Sequence, residues 1–184
     1  MYVYRYVVNY VYLVSKQTVM TFSIRPLINA DADSVVQLIL PIQREEFGVN
    51  ITLEDQPDLL DVEGYYKASG GEFWGAFAEG ELVGTIALIF IGHAGGAIRK
   101  MFVRKENRGR QLGIAQQLMD TLIEYCSQHG IENIYLGSVE AMKAAHRFYE
   151  RNGFQRVQRN EIPGYFPFMK PDNVFYEHTI NKTA

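Results

Sequence analysis

A single cysteine, Cys126, leaves no internal disulfide to build with. It stands at helical spacing among apolar neighbours and reads as a small buried hydrophobe, so chemistry resting on a thiol pair is excluded and a reducing cytoplasm is the expected setting. The four histidines, His93, His129, His146 and His178, have no ligand spacing with one another or with the cysteine, and no metal site is expected. Charge of one sign is scarce too. Eighteen Lys and Arg against 21 Asp and Glu leave a net charge of −3, too weak a positive field to hold nucleic acid by its phosphates. No uninterrupted apolar run reaches the ~20 residues that a membrane-crossing helix needs. Internal repeats and low-complexity tracts are missing as well, which removes solenoids and disordered scaffolds.

What remains is an ordinary globular composition. At 184 residues, 47% of them apolar, the chain is long enough to bury one core without staples. Residues 1–19 stand apart: Tyr2, Tyr4, Tyr6, Tyr10 and Tyr12 interleave with Val3, Val7, Val8 and Val11, a strand-like alternation broken by Arg5 and Asn9. Met20 opens a second plausible start, so the expectation is an N-terminal extension over 1–19, able to add a strand or drive self-association into a homodimer, and a single domain over 20–184.

Within that domain, Phe22 to Pro26 reads as a strand. Asn29 to Asp33 then supplies a cap for a helix carrying Val35, Val36, Leu38, Ile39 and Leu40. The acidic stretch from Arg44 to Ser69 reads as loop with short helical turns. Phe73–Ala78 and Leu82–Ile91 flank Glu79-Gly80-Glu81 as a hairpin, and Ile98–Val103 extends it to a meander. The period then changes. Ile114, Ala115, Leu118, Met119, Leu122, Ile123 and Cys126 form a stripe at three- and four-residue spacing over a helix at 113–129, stopped by Gly130. A strand around Ile134 and Leu136 completes a crossover unit whose two strands run parallel. A helix over 142–152 and a closing hairpin from Phe154–Val157 and Val174–Ile180 finish a mixed, mostly antiparallel α/β sheet of about seven strands flanked by helices.

Between Val103 and the long helix lies Asn107-Arg108-Gly109-Arg110-Gln111-Leu112-Gly113-Ile114-Ala115. Glycines at a helix N-terminus let main chain approach a ligand closely, and free amides with the positive end of the helix dipole favour phosphate oxygens. The segment is neither a Walker loop nor a Rossmann fingerprint, and alone it is also compatible with a plain turn. A second element lies about thirty residues on: Ala144-Ala145-His146-Arg147-Phe148-Tyr149-Glu150-Arg151-Asn152-Gly153-Phe154.

Together, Arg110-x-x-Gly113-x-Ala115 and Ala145-(x)3-Tyr149-(x)3-Gly153-Phe154 resemble the paired signatures of the GNAT superfamily of acyl-CoA-dependent N-acetyltransferases, with order and spacing covering Phe22 to Ile180. Two registers of the loop compete, one led by Arg110 and one by Arg108, the latter placing Gln111 where glycine is usual. Met142 occupies a position where many members carry asparagine, so no role transfers to it.

The resemblance implies acetyl-CoA as co-substrate. The strand Met101-Phe102-Val103 would offer main chain to the pantetheine arm, and the amides of Arg108, Gly109, Arg110, Gln111, Leu112, Gly113, Ile114 and Ala115 would hold the pyrophosphate. Arg104, Lys105, Arg147 and Arg151 are available for the outer phosphate or are merely solvated. Tyr149 would be the general acid that protonates the leaving thiolate, a phenol of reference pKa about 10 being protonated at neutral pH; otherwise it is a core tyrosine. A base is needed for the amine, and Glu45, Glu46, Glu54 and Asp55 border the acceptor side without one standing out. The aromatic stretch Pro163 to Pro171 would wall an acceptor pocket or cap the core. The activity implied is acetyl transfer to a primary amine of a small molecule or peptide by direct attack, with a non-catalytic acyl-CoA-binding or sensing module as the competing reading.

Overall fold

The computed structural model describes residues 21–180, and the extension expected over 1–19 lies outside them. Seven strands form one sheet: β1 (Phe22–Pro26), β2 (Glu72–Ala78), β3 (Glu81–Phe90), β4 (Gly95–Val103), β5 (Asn133–Ser138), β6 (Gln155–Val157) and β7 (Val174–Thr179). Their order is β1-β2-β3-β4-β5-β7-β6, with β4 and β5 parallel and every other neighbour antiparallel. This is the mixed sheet expected from the sequence, with β7 inserted between β5 and its hairpin partner β6.

Helices cover both faces. The long helix α3 (Ile114–Gln128) buries Ile114, Leu118, Met119, Leu122 and Cys126, the stripe read from the sequence. Each large aliphatic side chain placed there contributes about 1.5–3 kcal/mol relative to an exposed position. With Tyr149 and α4 (Lys143–Arg151) this stripe packs on Ile86, Leu88, Ile98, Val103, Ile134 and Leu136. On the opposite face Val35, Leu38 and Ile39 of α1 (Ala32–Pro41) and Val62 of the short α2 (Val62–Tyr65) pack with Tyr66, Phe73, Leu82 and Ala87. The acidic stretch between α1 and β2 is, as expected, a run of short turns. Cys126 is fully buried, and the apolar surroundings push its thiol up to about 12, so it is inert.

Two irregularities in β4 set up everything that follows. Pairing between β4 and β5 runs only from Gly95↔Asn133 to Ile98↔Leu136, so from Arg99 onward β4 leaves its neighbour and the sheet opens. On its other edge β4 carries a bulge: between the pairs Thr85↔Phe102 and Ala87↔Arg99, the single residue Ile86 of β3 stands opposite two of β4, Lys100 and Met101. Lys100 sits in that bulge at φ +52°. The buried hydroxyl of Thr85 donates to the Lys100 carbonyl at 2.7 Å, replacing a ladder bond that the bulge removes. Regular alternation would return Lys100 to the face of Ile98, under α3. The bulge instead keeps Arg99 and Lys100 on the same side, that of α1 and α2, as their partners there attest.

Candidate active site

Past the point where β4 leaves β5, a cleft of about 600 Å³ opens between the end of β4 and α4. One wall is Met101, Phe102 and Val103, whose main chain has no β5 partner. The other is α4, with Ala144, Ala145, Phe148, Tyr149 and Arg151, and Arg108, Gly109, Arg110, Gly113, Ala115 and Gln116 close the end. Helix α3 starts behind Gly113, and its first backbone bond from inside the helix runs from Gln117 N–H to Gly113 C=O at 3.0 Å. The amides of Ile114, Ala115 and Gln116 therefore have no helical acceptor and stand at the positive end of the dipole. A Cβ built on Gly109 or Gly113 would meet nothing within 4 Å, so both glycines face open space.

These positions separate the expected cofactor residues. Met101, Phe102, Val103, Arg108, Gly109, Arg110, Gly113 and Ala115 border the cleft. Gln111 points to solvent, Leu112 packs against the α3 core, and the Ile114 side chain is buried, leaving only its amide at the helix end. The helix start at Gly113 fits the register led by Arg110. Arg108 serves as a clamp, because its guanidinium donates to the Val103 carbonyl at 2.7 Å and grips both Glu46 carboxylate oxygens, Nη2 to Oε2 at 2.8 Å. It fastens the loop to the end of β4 and to the π-helical turn Ile42–Glu46 that continues α1. Of the other basic candidates only Arg151 reaches the cleft; Arg104 donates to the Leu82 carbonyl at 3.1 Å.

The hydrogen bond from Arg108 holds the Glu46 carboxyl below its usual range. A carboxyl lowered in the fold stabilises above its unfolded pKa and loses that contribution as pH falls through the folded value. Melting temperature should therefore fall between about pH 5 and pH 3 more in the wild type than in Glu46→Gln, the two curves converging at the acid end. The carboxylate is partly solvated, so the difference is that of a surface pair and shrinks with salt. Parallel curves would show that the clamp contributes nothing.

A second, smaller cavity of about 100 Å³ adjoins the cleft on the α1 and α2 side. Met101, Phe102, Met142 and Tyr149 border both spaces. Tyr149 is 6% exposed, with Phe154 and Tyr176 at 5.8 Å between ring centres. Its hydroxyl bonds to no described residue. Because no sealed side-chain oxygen or nitrogen among the described residues lacks a partner, that hydroxyl opens onto the cavity. Burial pushes the phenol well above its ordinary range, with nearby Tyr176 and Asp172 adding to the effect.

The small cavity is lined by charge that sequence reading did not single out. Arg99 Nη1 lies 3.5 Å from Asp172 Oδ2, and both side chains are 8% exposed. Lys100 Nζ lies 3.2 Å from Asp58 Oδ2 and also donates to Gln56 Oε1. Gln56 and Gln43 exchange amide bonds at 2.9 and 3.1 Å, and the Tyr66 hydroxyl donates to Asp58. Ser138, held at 3.2 Å by His146, completes the rim. Gly137 leaves room for Asp172 where it stands, since a Cβ there would come within 2.2 Å of Oδ2 and displace the carboxylate. Burial raises the Asp172 carboxyl. Glu45, Glu46, Glu54 and Asp55 do not border this cavity, whereas Met169 and Pro171 of the aromatic stretch do, and Phe166 packs in the core beneath. The signal available in the sequence was two adjacent cations, Arg99-Lys100, inside an apolar strand.

A sheet split between parallel strands, its wedge ending at a glycine-bordered helix N-terminus and opening beside a charged pocket, defines the acyltransferase class of α/β domains. The family model described as "Acetyltransferase (GNAT) family" matches residues 36–154, and the chain belongs to that family. A crystallised GNAT-family acetyltransferase of Staphylococcus aureus Mu50 superposes with a TM-score of 0.84 at 36% identity, over 88% of this chain and 100% of that one. The PaiA N-acetyltransferase of Thermoplasma acidophilum, solved in complex with coenzyme A, shares the fold at a TM-score of 0.69 and 19% identity, over 87% and 99% of the two chains. The N-acetylaspartate synthetase of Danio rerio is 35% identical over 112 residues, 58% of this chain and 39% of its own, so the chain spans about two fifths of that relative. Among the described residues no helix is long and apolar enough to cross a membrane.

Proposed function

We propose that this protein transfers the acetyl group of acetyl-CoA to a primary amine by direct attack. The observation that carries the reading is the position of Tyr149, whose hydroxyl opens where the 600 Å³ cleft and the 100 Å³ cavity meet. The residues fit such a co-substrate. Main chain at Met101 and the Val103 amide, which have no β5 partner, suit the amides of a pantetheine arm, and the amides of Ile114, Ala115 and Gln116, with Arg110 and Arg151 near, suit a diphosphate. The Thermoplasma acidophilum neighbour that shares the fold was solved in complex with coenzyme A.

Bound acetyl-CoA supplies an acyl thioester whose C–S bond breaks as the C–N bond forms. The amine, entering from the small cavity, must first lose a proton, because an alkyl ammonium of pKa about 10.4 is ~0.04% neutral at pH 7. Asp172 lines that cavity and is the carboxylate to take it, its raised pKa bringing it nearer the working pH. Tyr149 donates to the developing thiolate, and the second proton that the nitrogen sheds as the amide forms returns to the phenol oxygen. Since its phenol is a weaker acid than a free tyrosine, its contribution is a hydrogen bond that stabilises negative charge on sulfur, with the proton following as the thiolate leaves. A cytoplasmic setting, where acetyl-CoA is at hand and Cys126 stays reduced, belongs to this reading.

Titration with acetyl-CoA should release or absorb heat. At a hundredfold excess over Kd it should add about 2.7 kcal/mol of stability, or about 5–10 °C in Tm. Thiol release with a panel of amines then follows turnover. Absence of heat and of thermal protection rejects the assignment, whereas binding with no turnover on any amine favours an acyl-CoA-binding module.

A further inference from the structure

We infer that the acceptor is a free α-amino acid, whose carboxylate is read by Arg99 and Lys100 across the bulge in β4 while its amine faces Asp172. The inference rests on the transferase reading and adds the acceptor class. The small cavity contains two buried cations, far more expensive to keep than apolar side chains of the same size. They are there because of a backbone irregularity that carries its own strain. Lys100 adopts φ +52° in the middle of a strand, a region that an L-residue with a long side chain rarely occupies, and the buried Thr85 hydroxyl is committed to holding it there. Without the bulge Lys100 would lie on the other face, among the aliphatic residues under α3.

Their local partners do not exhaust them. Arg99 makes one hydrogen bond among the described residues, to Asp172 at 3.5 Å, and its guanidinium lies 5.3 Å from the Phe166 ring centre. The remaining donors of its fork are unspent, and since no sealed side-chain nitrogen lacks a partner, they open onto the cavity. The Lys100 ammonium gives two of its three protons to Asp58 and Gln56. Asp58 is itself turned toward Tyr66, and Asp172 also accepts from the Met169 amide at 3.2 Å. The cavity thus presents donors for an anion at Arg99 and Lys100 and, 3.5 Å from the Arg99 nitrogen, a carboxylate for a cation.

A zwitterion with amine and carboxylate one carbon apart matches both poles at once. A lysine side chain or a polyamine brings a cation with no anion beside it and leaves the unspent donors of Arg99 and Lys100 without an acceptor. Size agrees: about 100 Å³ is the volume of roughly three waters, room for a compact solute beside Tyr149.

The test compares alanine, aspartate and glycine with alaninamide, glycinamide and ethylamine in acetyl-CoA-dependent thiol release. The amides are less basic and more often neutral at pH 7, so intrinsic reactivity runs against the expected order. The wild type should favour the carboxylates in kcat/KM by about 10²-fold, the discrimination expected when buried charged donors are left unpaired. Arg99→Gln and Lys100→Gln should each lose about tenfold or more of that ratio, while acetyl-CoA still protects both variants from melting; Arg99→Lys, which keeps the charge and loses the fork, should fall between. Equal or better turnover of the amides overturns the acceptor class and leaves the transferase reading standing. If acetyl-CoA binds and no amine is turned over, the transferase reading fails. Calorimetry of aspartate and alanine into the protein saturated with coenzyme A then decides the anion site separately: heat that disappears in Arg99→Gln or Lys100→Gln upholds it, and no heat overturns it.

Discussion

Tyr149→Phe should lower turnover by ~10²-fold and leave acetyl-CoA affinity and melting temperature nearly unchanged. Phenylalanine retains the ring, and with it the packing against Phe148, Phe154 and Tyr176. Only the hydroxyl is removed. That group bonds to no described residue, so its loss strands no buried partner, and the usual destabilisation of a deleted buried hydrogen bond does not arise. The effect is thereby confined to the reaction. Its pH behaviour is a second check. Burial keeps the phenol protonated well beyond the pH at which a free tyrosine ionises, so the ratio of wild-type to variant turnover should be flat from about pH 6 to 9. A ratio falling toward alkaline pH would mean that Tyr149 ionises in the working range. A kcat equal to that of the wild type would remove it from the mechanism and return it to the core.

Parts of this molecule were open to reading from sequence because they depend on short-range periodicity. The stripe from Ile114 to Cys126 and the stop at Gly130 follow from 3.6-residue spacing, and α3 occupies Ile114–Gln128. The hairpin around Glu79-Gly80 and the meander into β4 follow from alternation and turn chemistry. The glycines at 109 and 113 mark the loop because their residue type answers a local backbone demand. The small cavity was not legible in the same way. Asp172, Asp58 and Arg99 come from segments far apart in sequence, and their meeting depends on strand order and on where β4 leaves β5. A one-residue bulge moves Lys100 from one face to the other, and no propensity at position 100 announces it. The acidic residues of the α1–α2 region, which drew attention by their number, are spent elsewhere: Glu46 on Arg108, and Asp55 on the Thr52 amide and hydroxyl. Count alone misleads where a carboxylate serves as a cap or a clamp.

Gly109→Ala should weaken acetyl-CoA binding by about 5- to 150-fold, with kcat at saturation changed much less. Gly109 holds φ +117°, outside the left-handed helical region that other residues tolerate, so a side chain there costs on the order of 1–3 kcal/mol or forces the loop to rearrange. The added methyl would touch nothing within 4 Å, which excludes a steric clash with the protein and leaves backbone geometry as the cause. The loop is anchored on both sides of this residue. Arg108 ties it to Val103 and Glu46, and the Gly113 amide bonds back to the Gly109 carbonyl at 3.3 Å. A rearranged Gly109 therefore pulls on the hinge that sets the amides of Ile114, Ala115 and Gln116. Gly130 provides the control. It also has positive φ, +69°, but sits past the far end of α3, about 22 Å away along a fifteen-residue helix. Gly130→Ala, at a left-handed helical φ, should lower the melting temperature by a milder strain and leave the acetyl-CoA Kd unaltered. If both variants lose stability and both bind acetyl-CoA as the wild type does, the loop from Arg108 to Ala115 does not hold the diphosphate, and the cleft must grip its ligand through the β4 edge alone.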